Sequence, residues 1–400
     1  MARNHVYKFM LLAIFLYPLV PDALTPYIGL AMGMIFLLYL ILEKDALSRI
    51  RRGRRQMRQA FSLPFFFLIL LTGISLFYSK NREVGVPMVF EILTAVVMFM
   101  ILKYELNRPN YTVPLTRAFF ISNFLVAFYH VGQVLQAEVV KGVPFDALTR
   151  SSTLSSSPLL AYFLLIPLFP ALTLYIYKDT LHDARFYLAL ITVCLISIFM
   201  TGNRIAIVGV FIGLALLSLL YSLKFVVALI PTGLFLLLIP IFSQRHRPFL
   251  ELYPQLGRWR FWGEILIQNK NRLIFGQGIG TTDSLVASAL QGKATLSNLE
   301  LIHKPYNLLL QAILEVGVPG LILLLLVGAL VIRSVARYTR SIKATPYMRV
   351  MAVGILVALV VLVTLNGVDS YLLHPKILYS ITILMGILLG DARQKSIHGV

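Results

Sequence analysis

Long, unbroken apolar runs constrain this chain more than any other feature. Ile205–Leu223, Phe225–Phe242, Leu308–Ile332 and Met351–Leu365 are each close to the ~20 residues that a helix needs to cross ~30 Å of hydrocarbon. They are rich in Leu and Ile and lack the alternation of a barrel strand, so they read as helices. Charged residues make up only 13% of the chain, about half the share of an ordinary soluble protein. The fold class expected is all-α, a polytopic integral membrane protein of about 12 transmembrane helices. Their approximate limits are 9–23, 28–42, 61–79, 88–102, 118–135, 158–177, 186–201, 205–223, 225–242, 308–332, 350–365 and 377–389. The run 9–23 has the length of a signal peptide, but no small-residue cleavage site follows it, and it reads as a retained helix.

The net charge of +19 raises the question of nucleic acid, and its distribution answers it. With the N-terminus placed in the cytoplasm, 22 of the 36 basic residues fall in cytoplasmic loops, where they set orientation. Eight of the other 14 lie in one long outer segment, which counts little in that rule. Both termini are therefore expected inside. The densest cluster, Arg49–Arg58, directly follows an apolar run and has no interleaved aromatics to stack bases. It reads as a topology signal touching anionic headgroups, with no nucleic acid as partner. The single cysteine, Cys194, lies within an apolar run and excludes an internal disulfide.

The whole chain, 1–400, reads as a single membrane domain. Residues 243–306 form the one long non-membrane segment, expected on the periplasmic side between the ninth and tenth helices. A segment of this length in a compact protein is usually functional. Within it Phe261–Gln268 reads as an amphipathic helix and Gly276–Gly280 (GQGIG) as a turn. A second outer loop, Gln136–Ser157, ends in the hydroxyl-rich TRSSTLSSS.

Cations gather at the outer edge. Arg204 stands in MTGNRIAIVG, Arg258 and Arg260 in GRWRFW, and His303 and Lys304 just before Pro305, Tyr306 and Asn307. Arg204 alone suits a lipid headgroup; several arginines converging suit a phosphate, which guanidinium binds in bidentate fashion. His303 suits either a surface hydrogen bond or a general base, and the base role needs an orienting partner. Glu91 and Glu315 fall inside the expected membrane helices, where carboxylates are functional or internally paired. The sequence has no Walker motif, no GxSxG elbow, no His- or Cys-rich metal set and no DxD pair. No cofactor or metal is expected, and a cytoplasmic sugar-nucleotide enzyme is disfavoured. A transporter is disfavoured too, because the two halves look unlike each other and the polar residues collect at one edge rather than at the midplane.

Three segments, in order, resemble the signature of the O-antigen ligase and polymerase family. They are TGNRIAIVG at 201–209, GRWRFWGEILIQNKNRLIFGQGIG at 257–280 and HKPYNLLLQAILEVGVPGLILLL at 303–325; GISLFYSKNREVG at 73–85 is similar to a weaker early motif. The segments cover about a quarter of the chain. The resemblance implies inverting, metal-independent glycosyl transfer at the periplasmic face of a bacterial inner membrane. The donor would be a glycan on undecaprenyl pyrophosphate. The acceptor would be lipid A–core oligosaccharide for a ligase, or a second lipid-linked glycan for a polymerase or related oligosaccharide transferase. By the same resemblance Arg204 and one of Arg258 or Arg260 would bind the pyrophosphate, with Lys304, Tyr306 and Asn307 also at the substrate. The family's histidine immediately before the asparagine is replaced here by Tyr306. Either a turn at Pro305 brings His303 to that place as the base, or Tyr306 supplies a hydrogen bond and the arginines carry catalysis.

Overall fold

The computed structural model describes residues 2–43, 62–106, 108–140, 152–177, 181–223, 262–291, 307–341 and 344–397, with isolated positions between them. All regular structure among these residues is helical. In chain order the helices are α1 (Ala2–Leu16), α2 (Thr25–Leu42), α3 (Ser62–Tyr78), α4 (Arg82–Met100), α5 (Pro109–Leu135), α6 (Ser157–Tyr177), α7 (Leu181–Met200) and α8 (Arg204–Leu220). They continue with α9 (262–268), α10 (Thr282–Gln291), α11 (Leu308–Glu315), α12 (Gly317–Thr339), α13 (Pro346–Leu365) and α14 (Pro375–Ile397). Single π turns extend α4 to Glu105 and α5 to Val140.

Among the described residues six helices are long and apolar enough to cross a membrane: α4, α5, α6, α7, α12 and α13. Shorter apolar helices occupy Leu63–Tyr78, Arg204–Leu220 and Pro375–Gly390. Twelve spans is a finer statement than these helices carry, and the expected helix 225–242 lies outside the described residues apart from Phe225 and Val227. So do the basic cluster 49–58 and, from the long expected segment, 243–261 and 292–306. Large apolar side chains such as Phe66, Phe77, Leu219, Ile322 and Leu325 face outward. An apolar exterior of this extent suits hydrocarbon rather than water.

At the centre stands α6, whose sequence SPLLAYFLLIPLFPALTLYIY is apolar on every face. A helix apolar all round is one enclosed by others, and residues Leu159–Pro170 are buried without interruption. It packs most extensively on α13 and α7. Pro167 and Pro170 sit in its middle and remove two backbone donors. Thr173 Oγ1 satisfies the Pro170 carbonyl at 2.9 Å. Opposite Pro170 the backbone of α13 passes at Gly354, where a Cβ would come within 2.4 Å of Pro170 Cα. Small residues at such crossings let two helices meet backbone to backbone.

The sequence reading of 308–332 as one helix is corrected. The chain breaks at Val316–Gly317 into α11 and α12. Gly317 has φ +83°, a backbone conformation that favours glycine, and the break exposes carbonyls that another segment uses, as described below. The first helix is also displaced, covering Ala2–Leu16 rather than 9–23, because Pro18 and Pro21 interrupt the second half of the apolar run.

Hydrogen bonds separate two ends of the bundle. One holds the turns 17–24, 79–81, 152–156, 201–203 and 366–374. Ser157 Oγ donates to Thr201 O at 2.9 Å, and Lys376 Nζ donates to Val20 O at 2.6 Å. The other end holds Arg3, Tyr39 and Glu105, joined by Arg3 Nε to Glu105 O at 2.7 Å and Tyr39 OH to Glu105 Oε2 at 2.7 Å. Arg117 and Asp183 pair at 3.6 Å between α5 and α7.

Candidate functional site

Arg204 opens α8 after a three-residue turn. Gly202 takes φ +65°, which reverses the chain directly after α7. Thr201 stabilises the turn by donating from Oγ1 to Ile198 O at 2.6 Å and accepting from Asn203 N at 3.3 Å. Asn203 is the N-cap, its side chain accepting from Ala206 N at 3.1 Å. Arg204 is half-buried at the first helical position. A cation there opposes the helix dipole, so helix stability gives no reason for it. Together with the positive end of the helix dipole it makes this end electropositive, the arrangement that receives anions.

The second structure at this end is a dock for the loop 273–280. Its three glycines all have positive φ, +72°, +98° and +80° at Gly276, Gly278 and Gly280. The loop enters the break between α11 and α12: Gln277 N donates to Leu314 O at 2.7 Å, Gly278 N to Glu315 O at 2.9 Å, and Val318 N to Leu273 O at 2.9 Å. Its other side meets the α3–α4 turn. Ser79 Oγ donates to Ile279 O at 2.8 Å, Ile279 N to Ser75 Oγ at 3.3 Å, and Tyr78 OH to Phe275 O at 2.7 Å. A Cβ on Gly278 would lie 2.4 Å from Ser79 Cα. Beside the dock, Trp262, Ile265, Val286, Leu310 and Leu314 form a small apolar core that ties α9, α10 and α11 together.

Glu315 closes the dock from beneath. It ends α11 and lies outside the apolar span Gly317–Thr339, which corrects its assignment to a membrane helix. Only 4% exposed, its Oε1 accepts from Thr282 Oγ1 at 2.7 Å and Gln311 Nε2 at 3.4 Å. Burial pushes its carboxyl up to about 7, against the pull of these hydrogen bonds. Glu91 stays inside α4, as expected, half-buried.

Asn307 is the N-cap of α11, accepting from Leu309 N at 2.9 Å and Leu310 N at 3.0 Å. Its Nδ2 donates to Gly367 O at 3.0 Å. Leu308 N donates to Asn366 O and Asp369 O at 3.1 and 3.2 Å. The Asp369 carboxylate in turn accepts from Tyr162 OH, in the second turn of α6. Because Ser157 at the start of α6 holds the 201–203 turn, Asn307 and Arg204 belong to one connected end. The structure thus brings together parts of all four motif segments: 73–85 with 276–280 and 315–320 directly, and 201–204 through α6. Arg258, Arg260, His303, Lys304 and Tyr306 lie outside the described residues.

A cluster that the sequence reading passed over stands at the same end. Lys376, with a fully buried side chain, pairs with Asp22 Oδ1 at 3.3 Å. It also donates to Val20 O and Thr153 O at 2.6 and 2.9 Å. His374 Nε2 lies 3.6 Å from Asp22 Oδ2, which also accepts from Ser155 N at 2.5 Å. A lysine opening the apolar run 377–389 was the available signal, since a charge there needs a partner; the partner, 354 residues away, was not legible. Among the described residues no group of three or more His, Cys, Asp or Glu side chains is placed to hold a metal ion.

In comparison with known proteins, no family model matches the chain, and no curated protein matches it.

Proposed function

We propose that the chain is a membrane glycosyltransferase of the O-antigen ligase type, acting on a glycan carried by undecaprenyl pyrophosphate. One observation carries the reading. The loop 276–280 is seated between Ser79 and the Glu315–Gly317 break, which joins distant segments bearing the family resemblance at the end where Arg204 opens α8. That assembly gives the segments a common purpose, and the electropositive start of α8 suits a pyrophosphate.

In this reading the acceptor hydroxyl of lipid A–core attacks the anomeric carbon of the donor sugar. A new C–O bond forms, the bond from that carbon to the pyrophosphate oxygen breaks, and its electron pair leaves with the lipid pyrophosphate. The hydroxyl proton passes to a base, for which His303 is the candidate. Arg204 and Arg258 or Arg260 neutralise the charge growing on the leaving group, which needs guanidinium geometry rather than a point charge. The membrane concerned is the bacterial inner membrane, with this end of the bundle facing the periplasm.

The test is a reaction of purified protein with undecaprenyl-pyrophosphate-linked glycan and lipid A–core, resolved by gel. Glycan on the core band supports the ligase. Lengthening of the lipid-linked glycan with the core untouched replaces it by a polymerase, and no product from folded protein removes the transferase reading. Arg204→Ala should lower the rate on the order of 100- to 1000-fold, measured on protein shown to be folded, and Arg204→Lys should not restore it.

A further inference from the structure

A cavity of about 1120 Å³ opens between the turn 19–23, α5 and residues 152–155. It exceeds the ~300–1,000 Å³ of an ordinary small-molecule pocket. Its chemistry is divided. Leu125 and Phe128 form an apolar flank exposed on the outside of the bundle, while Asp22, Gln133, Gln136, Ser152 and Ser155 supply a polar wall. Tyr129, 54% exposed, stands at the boundary with an apolar ring and a polar tip.

The polar wall is anchored yet keeps hydrogen-bonding capacity in hand. Ser152 N donates to Gln133 Oε1 at 3.1 Å and Ser152 Oγ to Val126 O at 2.9 Å, fixing 152–155 on α5. Among the described residues, Gln133 Nε2, the Gln136 carboxamide and the Tyr129 hydroxyl make no hydrogen bond. These are donors and acceptors at once, matched to hydroxyls rather than to an ion. Among the described residues the one charged side chain lining the cavity is Asp22, which is already paired with Lys376. On its inner side Ala137 packs with Val134 against Met200, which leads into the turn before Arg204.

The geometry points to a glycan-binding subsite here: the cavity takes the sugar head of a lipid-anchored saccharide, whose tail lies along the Leu125–Phe128 flank. The aromatic face of Tyr129 receives a sugar ring and the amides receive its hydroxyls, one step from the cationic turn. The inference rests on the transferase reading for the source of the saccharide, which is either the lipid-linked donor or the core acceptor.

Full-length protein in detergent is titrated separately with the water-soluble glycan released from the donor lipid and with delipidated core oligosaccharide, read by ligand-observed NMR. Binding of one of the two identifies the source. Gly132 lines the cavity and a Cβ there meets nothing within 4 Å, so Gly132→Trp fills the space and should abolish binding. Gln136→Ala, an exposed side chain at the end of α5, should weaken it about fivefold and decides the matter if the tryptophan variant does not fold. Binding by neither saccharide, or wild-type binding in a folded variant, overturns the subsite. The failures separate: saccharide binding without transfer leaves the subsite and removes the transferase. Transfer with unchanged KM for both substrates in the folded variants does the reverse.

Discussion

Lys376 and Glu315 are two buried ionisable groups with opposite needs. Lys376 is fully enclosed and satisfied by Asp22 and two carbonyls. Removing one partner of a buried pair leaves the other charge uncompensated, which costs about 3 kcal/mol or more. Lys376→Met should therefore lower the unfolding free energy by about that amount in detergent, and a double variant with Asp22→Asn should recover part of it. Glu315 has folded-state titration near 7 against an ordinary value of 4.5. Between those pH values the docked state holds a proton that the undocked state has released, so docking weakens as pH rises through the window and is strongest below it. Amide exchange of Ile279 and Gly280, corrected for intrinsic rates, should be faster at pH 8 than at pH 5.5. Glu315→Gln should flatten that dependence. Neither group's partners were legible in the sequence, because Asp22 with Lys376 and Thr282 with Glu315 are brought together by packing, not by spacing.

Elements were legible in proportion to how far local chemistry decides them. The apolar runs 158–177, 186–201 and 350–365 fall within observed helices to within a few residues, and the GQGIG turn is present, as is the helix expected at 261–268, over the described residues 262–268. The misreading at 308–332 has a specific cause. Apolar periodicity continues through LEVGVPG, and only the positive φ of Gly317 and the incoming 273–280 backbone mark the break. Of the candidate site, Arg204 and Asn307 were legible as residues at helix starts, whereas the dock joining their segments was not, since it is made mostly of backbone groups. Gly278→Ala tests that dock. At φ +98° and with a Cβ 2.4 Å from Ser79 Cα, strain costs about 1–3 kcal/mol. Exchange protection in 273–282 should be lost while that of α6 and α13 stays intact.

At the scale of the molecule, the proposed inner-membrane location predicts that the two hydrogen-bonded ends lie on opposite sides of that bilayer. The single cysteine is buried, so a Cys194→Ser background gives a blank slate. A cysteine placed at Gly202 should react with an impermeant maleimide in cells with a permeable outer membrane. One at Ser341 should react only after the inner membrane is opened. Equal labelling of both positions in intact cells would refute the arrangement.

The enclosure of α6 has a bearing on how the protein is made. Its principal neighbours are α7, which follows at once, and α13, which emerges from the ribosome nearly two hundred residues later. Throughout that interval a helix carrying two mid-length prolines lacks the neighbour that covers one of its flanks. Its enclosure is therefore a late event in synthesis, completed only when α13 brings the Gly354 crossing against Pro170.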